Sequence, residues 1–160
     1  MQKAVQRGLG FGLTSAIITV LGVMVGVHAG TDLKHAVIGA VIVVAVADSL
    51  SDALGVLLTE KSVPGNTLKE AVVSSLCTFL VKIWLGFTFL LPLWLIPDLH
   101  LAIGICLAYG MIVLGFYTYL VAKRKKGNPV KDIAVHILLA IVVITLSNLL
   151  GNWAQAKFGV

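Results

Sequence analysis

Charge is what this sequence has least of. Only 12% of its 160 residues are Asp, Glu, Lys or Arg, while 59% are hydrophobic; a soluble domain carries roughly 25% charged and about 45–50% apolar residues. That shortage excludes a soluble domain with an unusually greasy core and points to an integral membrane protein. Cysteine is scarce too. Cys77 and Cys106 fall within apolar runs and form no CxxC pair, so they read as small buried side chains rather than a disulfide. No HxxxH, ExxH or Cys-rich pattern supports a closed metal site. No Gly-x-Ser-x-Gly, Walker or redox motif supports an enzyme. Segments between the apolar runs are short, which excludes a separate soluble domain, a linker or a low-complexity tail.

What is present is a series of long apolar runs. A spanning helix needs roughly 20 mostly apolar residues, and five stretches qualify: Gly8 to Ala29, Ala36 to Leu58, Ala71 to Ile96, Leu101 to Ala122 and Ile133 to Trp153. The first is too long for a signal peptide, and no small-residue cleavage site precedes a soluble mature chain. The expectation is an all-α integral membrane protein, one five-helix transmembrane domain over residues 1–160.

The net charge of +5 reflects topology and does not call for nucleic acid. Lys3, Arg7, Lys61, Lys69, Lys123, Arg124, Lys125, Lys126 and Lys131 all fall on one side of a five-span arrangement; only Lys34 and Lys157 fall on the other. By the positive-inside rule the N-terminus is cytoplasmic and the C-terminus outside. The run KRKKGNP also suits contact with anionic lipid. With no targeting signal and no extensions, the expected location is a prokaryotic plasma membrane.

Helical spacing organises the polar residues. In the first span Gly8, Gly12, Ser15, Thr19, Gly22 and Gly26 fall on one stripe at about 100° per residue. Such a stripe lets a second helix approach closely, either within one subunit or at a subunit interface beside a narrow pathway. In the second span Asp48, Ser51, Asp52, Gly55 and Thr59 share a face, with Glu60 at its cytoplasmic end and Ser49 pointing elsewhere. The third span carries Ser75, Thr78, Lys82 and Gly86, and Lys82 lies at a depth similar to Asp48. Pro92 and Pro97 close that helix, and the fifth span has a polar face of Thr145, Asn148 and Asn152. Five spans do not divide into equal halves, so an inverted-repeat transporter is not expected.

Asp48, Asp52 and Lys82 carry the chemistry. Each ionised group at mid-membrane costs at least about 2.5–3.5 kcal/mol, so the three should face one another or a wet cavity. One lysine balances one aspartate; the second needs a proton, a cation or a partner from another subunit. Carboxylate oxygens are hard ligands that suit magnesium or manganese and accept ferrous iron. The competing interpretation is a structural Asp–Lys pair that fixes helix register. Met24 and Met111 read as packing residues. His28, His35 and His100 lie near the outer ends, as interfacial side chains or as ligands near an exit, and His136 lies near the cytoplasmic start of the fifth span.

At the second span the pattern resembles a known family. Sequences like ALSMAAGEY mark the second helix of vacuolar iron transporters; here the same frame reads DSLSDALGVLL, keeping Leu50, Ser51, Ala53 and Gly55. FGLTSAI in the first span resembles the family's DGLVTTF frame, PLWLIP resembles its proline-rich turn after the third helix, and LSNLLGNW resembles the glycine-bearing end of its fifth. In span count and order the resemblance covers nearly the whole chain. It implies a five-helix fold, a homodimer, and export of divalent metal from the cytosol in exchange for protons along a path lined by the first two helices at the dimer interface.

The chain departs from that family where charge matters. Phe11 stands at the family's first-helix aspartate, Asp52 at its second-helix methionine, Val56 at its glutamate, and Asp48 at a small residue; only TEKSVPGNTLKE replaces its cytoplasmic metal-binding helices. Loss of a thioether and gain of carboxylates favours a harder ion, or protons alone, so iron specificity is not carried over. The expectation is a proton-coupled transporter of divalent cations, of the iron or manganese type, with no tightly bound cofactor. Asp48 and Asp52 would bind metal or proton, Ser51 and Thr59 would supply hydroxyls, Glu60 would collect cations at the cytoplasmic mouth, and Lys82 would act as an internal cation. The alternatives are a membrane scaffold with a structural Asp–Lys pair and a transporter of another small solute.

Overall fold

The computed structural model of the protein describes residues 1–125 and 127–159; Lys126, one of the basic residues counted above, lies outside the described residues. The described residues form α1 (Gln2–Thr31), α2 (Lys34–Ser62), α3 (Leu68–Thr88), α4 (Leu90–Leu95), α5 (Leu99–Arg124) and α6 (Pro129–Phe158). With α3 and α4 taken together as Leu68–Leu95, these make five helices long and apolar enough to cross a membrane. Most run several residues past the apolar runs. The 30 residues of α1 span about 45 Å, against a hydrocarbon layer of about 30 Å, so its polar ends reach into the interfacial layers.

The helix ends are set by local chemistry. α3 opens with a capping box in which the Thr67 side chain accepts from the Glu70 backbone N–H and the Glu70 carboxylate accepts from the Thr67 N–H. Asp98 caps α5 by accepting from the Leu101 N–H at 2.7 Å. Asn128 caps α6, with Pro129 at its start, where a missing N–H costs nothing. The third span is broken rather than continuous. Pro92 has no N–H to give to the carbonyl four residues back, and its ring crowds that carbonyl. The break accordingly falls at Thr88–Phe89, and the chain resumes as the short α4.

α1 is the central helix and packs against α2, α3, α5 and α6. Its small-residue stripe is consumed by two close crossings within the chain. Near one end, a Cβ on Gly8 would run into the Ser74 carbonyl oxygen of α3, and one on Gly12 would come within 3.0 Å of the Thr78 carbonyl. Near the other, Gly22 and Gly26 face Val143 and Ser147 of α6, and a Cβ on Gly151 would meet the Gly26 carbonyl. The gradual drift of the stripe around α1 divides it between two neighbours. Thr78 also donates to the Gly8 carbonyl at 3.2 Å, the kind of interhelical bond that small-residue contacts permit. Thr19 is half-buried.

The apolar core lies along α1 and gathers Ile17, Leu21 and Met24 with Val37, Val41, Phe89, Leu93 and Leu114. Met24 is filler there, and so is Cys106, whose thiol donates to the Phe89 carbonyl at 3.5 Å. Cys77 and Cys106 are both free thiols. Outward faces are apolar: Leu50, Leu54 and Leu58 on α2, and Leu138, Leu146 and Leu150 on α6. The polar face of α6 is exposed, and Asn152 donates to Asn148 at 2.8 Å.

Candidate functional site

The fold brings Lys82 of α3 against α2 and α1. Its ammonium is 2% exposed at the side chain and contacts the Oδ2 atoms of both Asp48, at 2.5 Å, and Asp52. A third N–H is donated to Ser15 Oγ of α1 at 2.9 Å. Ser15 in turn donates to Asp52 Oδ2 at 2.7 Å. An ammonium has three donors, and here all three have acceptors. Two carboxylates and one ammonium leave the cluster a formal charge of −1.

Helix geometry explains the arrangement. Asp48 and Asp52 are offset by about 40° around α2 and sit on the shoulder of its buried face, which carries Val41, Ala45, Ser49 and Ala53. From that shoulder each carboxylate reaches Lys82, yet the side chains keep 29% and 23% exposure. The carboxylates therefore lie at the rim of the helix bundle, and the ammonium lies behind them.

Ser51 does not join the site. At about 60° from Asp48 on the side away from Asp52, it is exposed. The hydroxyl between the charges comes from Ser15, which the sequence pattern assigns to helix packing. Ser49 is buried and donates to the Ala45 carbonyl at 2.5 Å.

Asp52 also lines a cleft of about 370 Å³ that follows Gly55, Thr59 and Glu60 toward the basic end of the molecule, with Phe11 and Arg7 of α1 on its other wall. A Cβ on Gly55 would meet nothing within 4 Å, so the glycine widens the cleft. Thr59 lines it as well. Glu60, expected to collect cations at the cytoplasmic mouth, lines it too, but as a carboxylate already paired. Its side chain is only 11% exposed. Arg7 grips it through Nε and Nη2, both at 2.7 Å, and Asn66 donates to it at 2.6 Å. The turn after α2 and the first turns of α1 supply these partners from 53 residues upstream and 6 downstream, beyond the reach of any helical-face argument.

Ser74 is the polar residue that the sequence pattern passes over. It is fully buried, lines the same cleft, and its hydroxyl has no hydrogen-bond partner. Its signal is adjacency: it lies one helical turn from Thr78, at the Gly8 crossing. A second, larger cavity of about 980 Å³ at the same end is bordered by Lys3, Arg7, Arg124, Lys125, Tyr117 and His136. At the opposite end the His28 and His100 rings meet edge to face with centroids 4.7 Å apart, while His35 is exposed.

Comparison with known proteins adds no relative: no family model matches the chain, and no curated protein or solved structure matches it.

Proposed function

We propose that the protein is a homodimeric, proton-coupled transporter that moves divalent cations of the manganese(II) or iron(II) type out of the cytoplasm, with its N-terminus on the cytoplasmic side. The observation that carries this reading is the buried Lys82 ammonium held by two partly exposed carboxylates, one of which, Asp52, lines a cleft that also carries Thr59, Glu60 and Ser74. Lys82 occupies the position of a cation. A dication arriving along Thr59 and Asp52 competes for the same carboxylate oxygens and displaces the ammonium. Protons compete for those oxygens as well, because a carboxylate must be deprotonated to ligate metal. Competition at one site is the minimal requirement for exchange.

Phe11, Asp52 and Val56, three positions at which the chain departs from the family it resembles, all line this cleft, and of the three Asp52 alone offers a ligand atom. The hydroxyl ligands available in this chain are Ser15, Thr59 and Ser74, with Ser51 left outside. The rim position of Asp48 and Asp52 supports a second copy of the chain beside α2, since carboxylates facing lipid are costly. The nine-to-two distribution of basic residues supports the orientation.

A second reading has its own observation. Every ammonium N–H of Lys82 is accepted, and Ser15 closes the ring by donating to Asp52; a network so fully satisfied also suits a static scaffold, in which the charges specify packing. Proteoliposomes separate the two. An acidic lumen should drive manganese(II) uptake by the wild-type protein, and Asp48→Asn or Asp52→Asn should abolish it. Folded protein without uptake, or variants that transport like wild type, would contradict the transporter reading.

A further inference from the structure

At the end of the molecule away from the acidic cleft, three side chains from two helices converge. His28 lies in the last turn of α1, Asp32 caps that helix, and His100 lies in the first turn of α5. One ligand-capable atom from each lies within 4.8 Å of the other two. His28 Nδ1 is 3.2 Å from Asp32 Oδ1. Yet this nitrogen is sealed from solvent and makes no hydrogen bond. Buried polar atoms without partners are rare in native structures, and each asks for an explanation such as an unplaced water or ion.

The geometry points to a transition-metal site formed by His28, Asp32 and His100, of the class that takes zinc(II) or cobalt(II). Two imidazoles and a carboxylate are a three-ligand set that leaves a fourth, open position. Metal–ligand bonds of about 2.0–2.1 Å in a tetrahedron place the ligand atoms about 3.3 Å apart, and the His28–Asp32 pair already stands at 3.2 Å. His100 closes the set by a swing of its exposed ring. The backbone presets Asp32. It is the non-glycine residue with positive φ among the described residues, at 50°, fixed by its N–H donating to the His28 carbonyl at 2.8 Å. The left-handed conformation, which aspartate tolerates better than most residues, keeps the carboxylate beside the ring it would share a metal with. Neither thioether nor thiolate is present, so the site favours borderline ions over soft ones.

This site stands on its own ligands and does not depend on the transport reading. The test is cobalt(II) titration of the purified full chain in detergent, followed by visible absorption and by competition with zinc(II). One cobalt(II) per chain should give the intense bands of a four-coordinate nitrogen and oxygen site, and zinc(II) should displace it. Disturbing partners one shell out from a metal already weakens binding by about 10–100-fold; His28→Gln, His100→Gln and Asp32→Asn should each weaken it by about 100-fold or more. His35→Gln, at an exposed histidine outside the cluster, should leave it unchanged. His100→Gln and Asp32→Asn alter exposed side chains, and unchanged melting without metal would show that they remain folded. Absence of four-coordinate bands, or cobalt(II) binding that survives His28→Gln and His100→Gln together, would overturn the assignment.

Discussion

Asp48 and Asp52 lie one turn apart on α2 and share the single ammonium of Lys82. The cluster is thus a cation already bound by two carboxylates, and its stability and the proposed exchange are linked through the same three charges.

The first consequence is energetic. Lys82→Met leaves two neighbouring carboxylates without their counter-ion, and breaking a buried pair in this way costs about 3–5 kcal/mol. The partial exposure of both aspartates puts the expected loss at the lower end of that range. Adding Asp48→Asn and Asp52→Asn to Lys82→Met should recover most of it. Reversible unfolding of the single and triple variants in mixed micelles checks this; a triple variant as unstable as the single would show that the charges are not coupled.

Glu60 is held by Arg7 and Asn66. Arg7→Ala should therefore destabilise the protein by about 1.5–3 kcal/mol, the range for a hydrogen bond to a charged group, reduced by the 42% exposure of the arginine side chain. Lys61→Ala, at an exposed neighbour, should change stability by no more than about 0.5 kcal/mol. Equal effects in a melting assay would mean that the Arg7–Glu60 contact contributes nothing.

The glycines of the helix crossings differ sharply from the others. Gly8→Ala places a methyl group against the Ser74 carbonyl, and such overpacking costs about 1–3 kcal/mol. Gly104→Ala, with nothing within 4 Å of the new carbon, should be neutral or stabilise by about 0.4–1 kcal/mol. Matched unfolding curves for the two variants would refute the close α1–α3 approach.

Much of this was legible before any coordinates. Long apolar runs define spanning helices by length alone, and an i, i+4 pair of aspartates has to share a helix face. Lys82, at a similar depth on the next span, was the natural counter-charge. What a single-helix pattern does not contain is the neighbour on each side. Ser15 reads as one more small residue in a packing stripe and Ser51 as the hydroxyl between the carboxylates; Ser51 lies about 60° around α2 from Asp48, and Ser15 reaches the charges from the neighbouring helix. The pairing of Glu60 is not visible in its own helix, because its captors lie on α1 and in the turn after α2. His28 and Asp32 form an i, i+4 pair, but its third member, His100, is 72 residues from His28 and is reached only through the packing of α1 on α5.

In the proposed dimer the carboxylate rim marks the face that would meet the second copy. In a background with Cys77→Ser and Cys106→Ala, Ser51→Cys, exposed on α2 and about 60° around the helix from Asp48, should form an intermolecular disulfide under mild oxidant. Leu139→Cys on the exposed face of α6 should remain monomeric on non-reducing gels. Cross-linking at Leu139→Cys alone would move the interface to α6.

The central claim is that metal and protons compete for the carboxylates that hold Lys82, and its most direct measurement is proton flux driven by metal. Proteoliposomes carrying a lumenal pH indicator, given external manganese(II) with no imposed pH gradient, should show the lumen turning alkaline as metal enters and protons leave. The Asp48→Asn and Asp52→Asn variants should show neither signal. Manganese(II) entry without any pH change, or a proton flux that survives both substitutions together, would contradict the account.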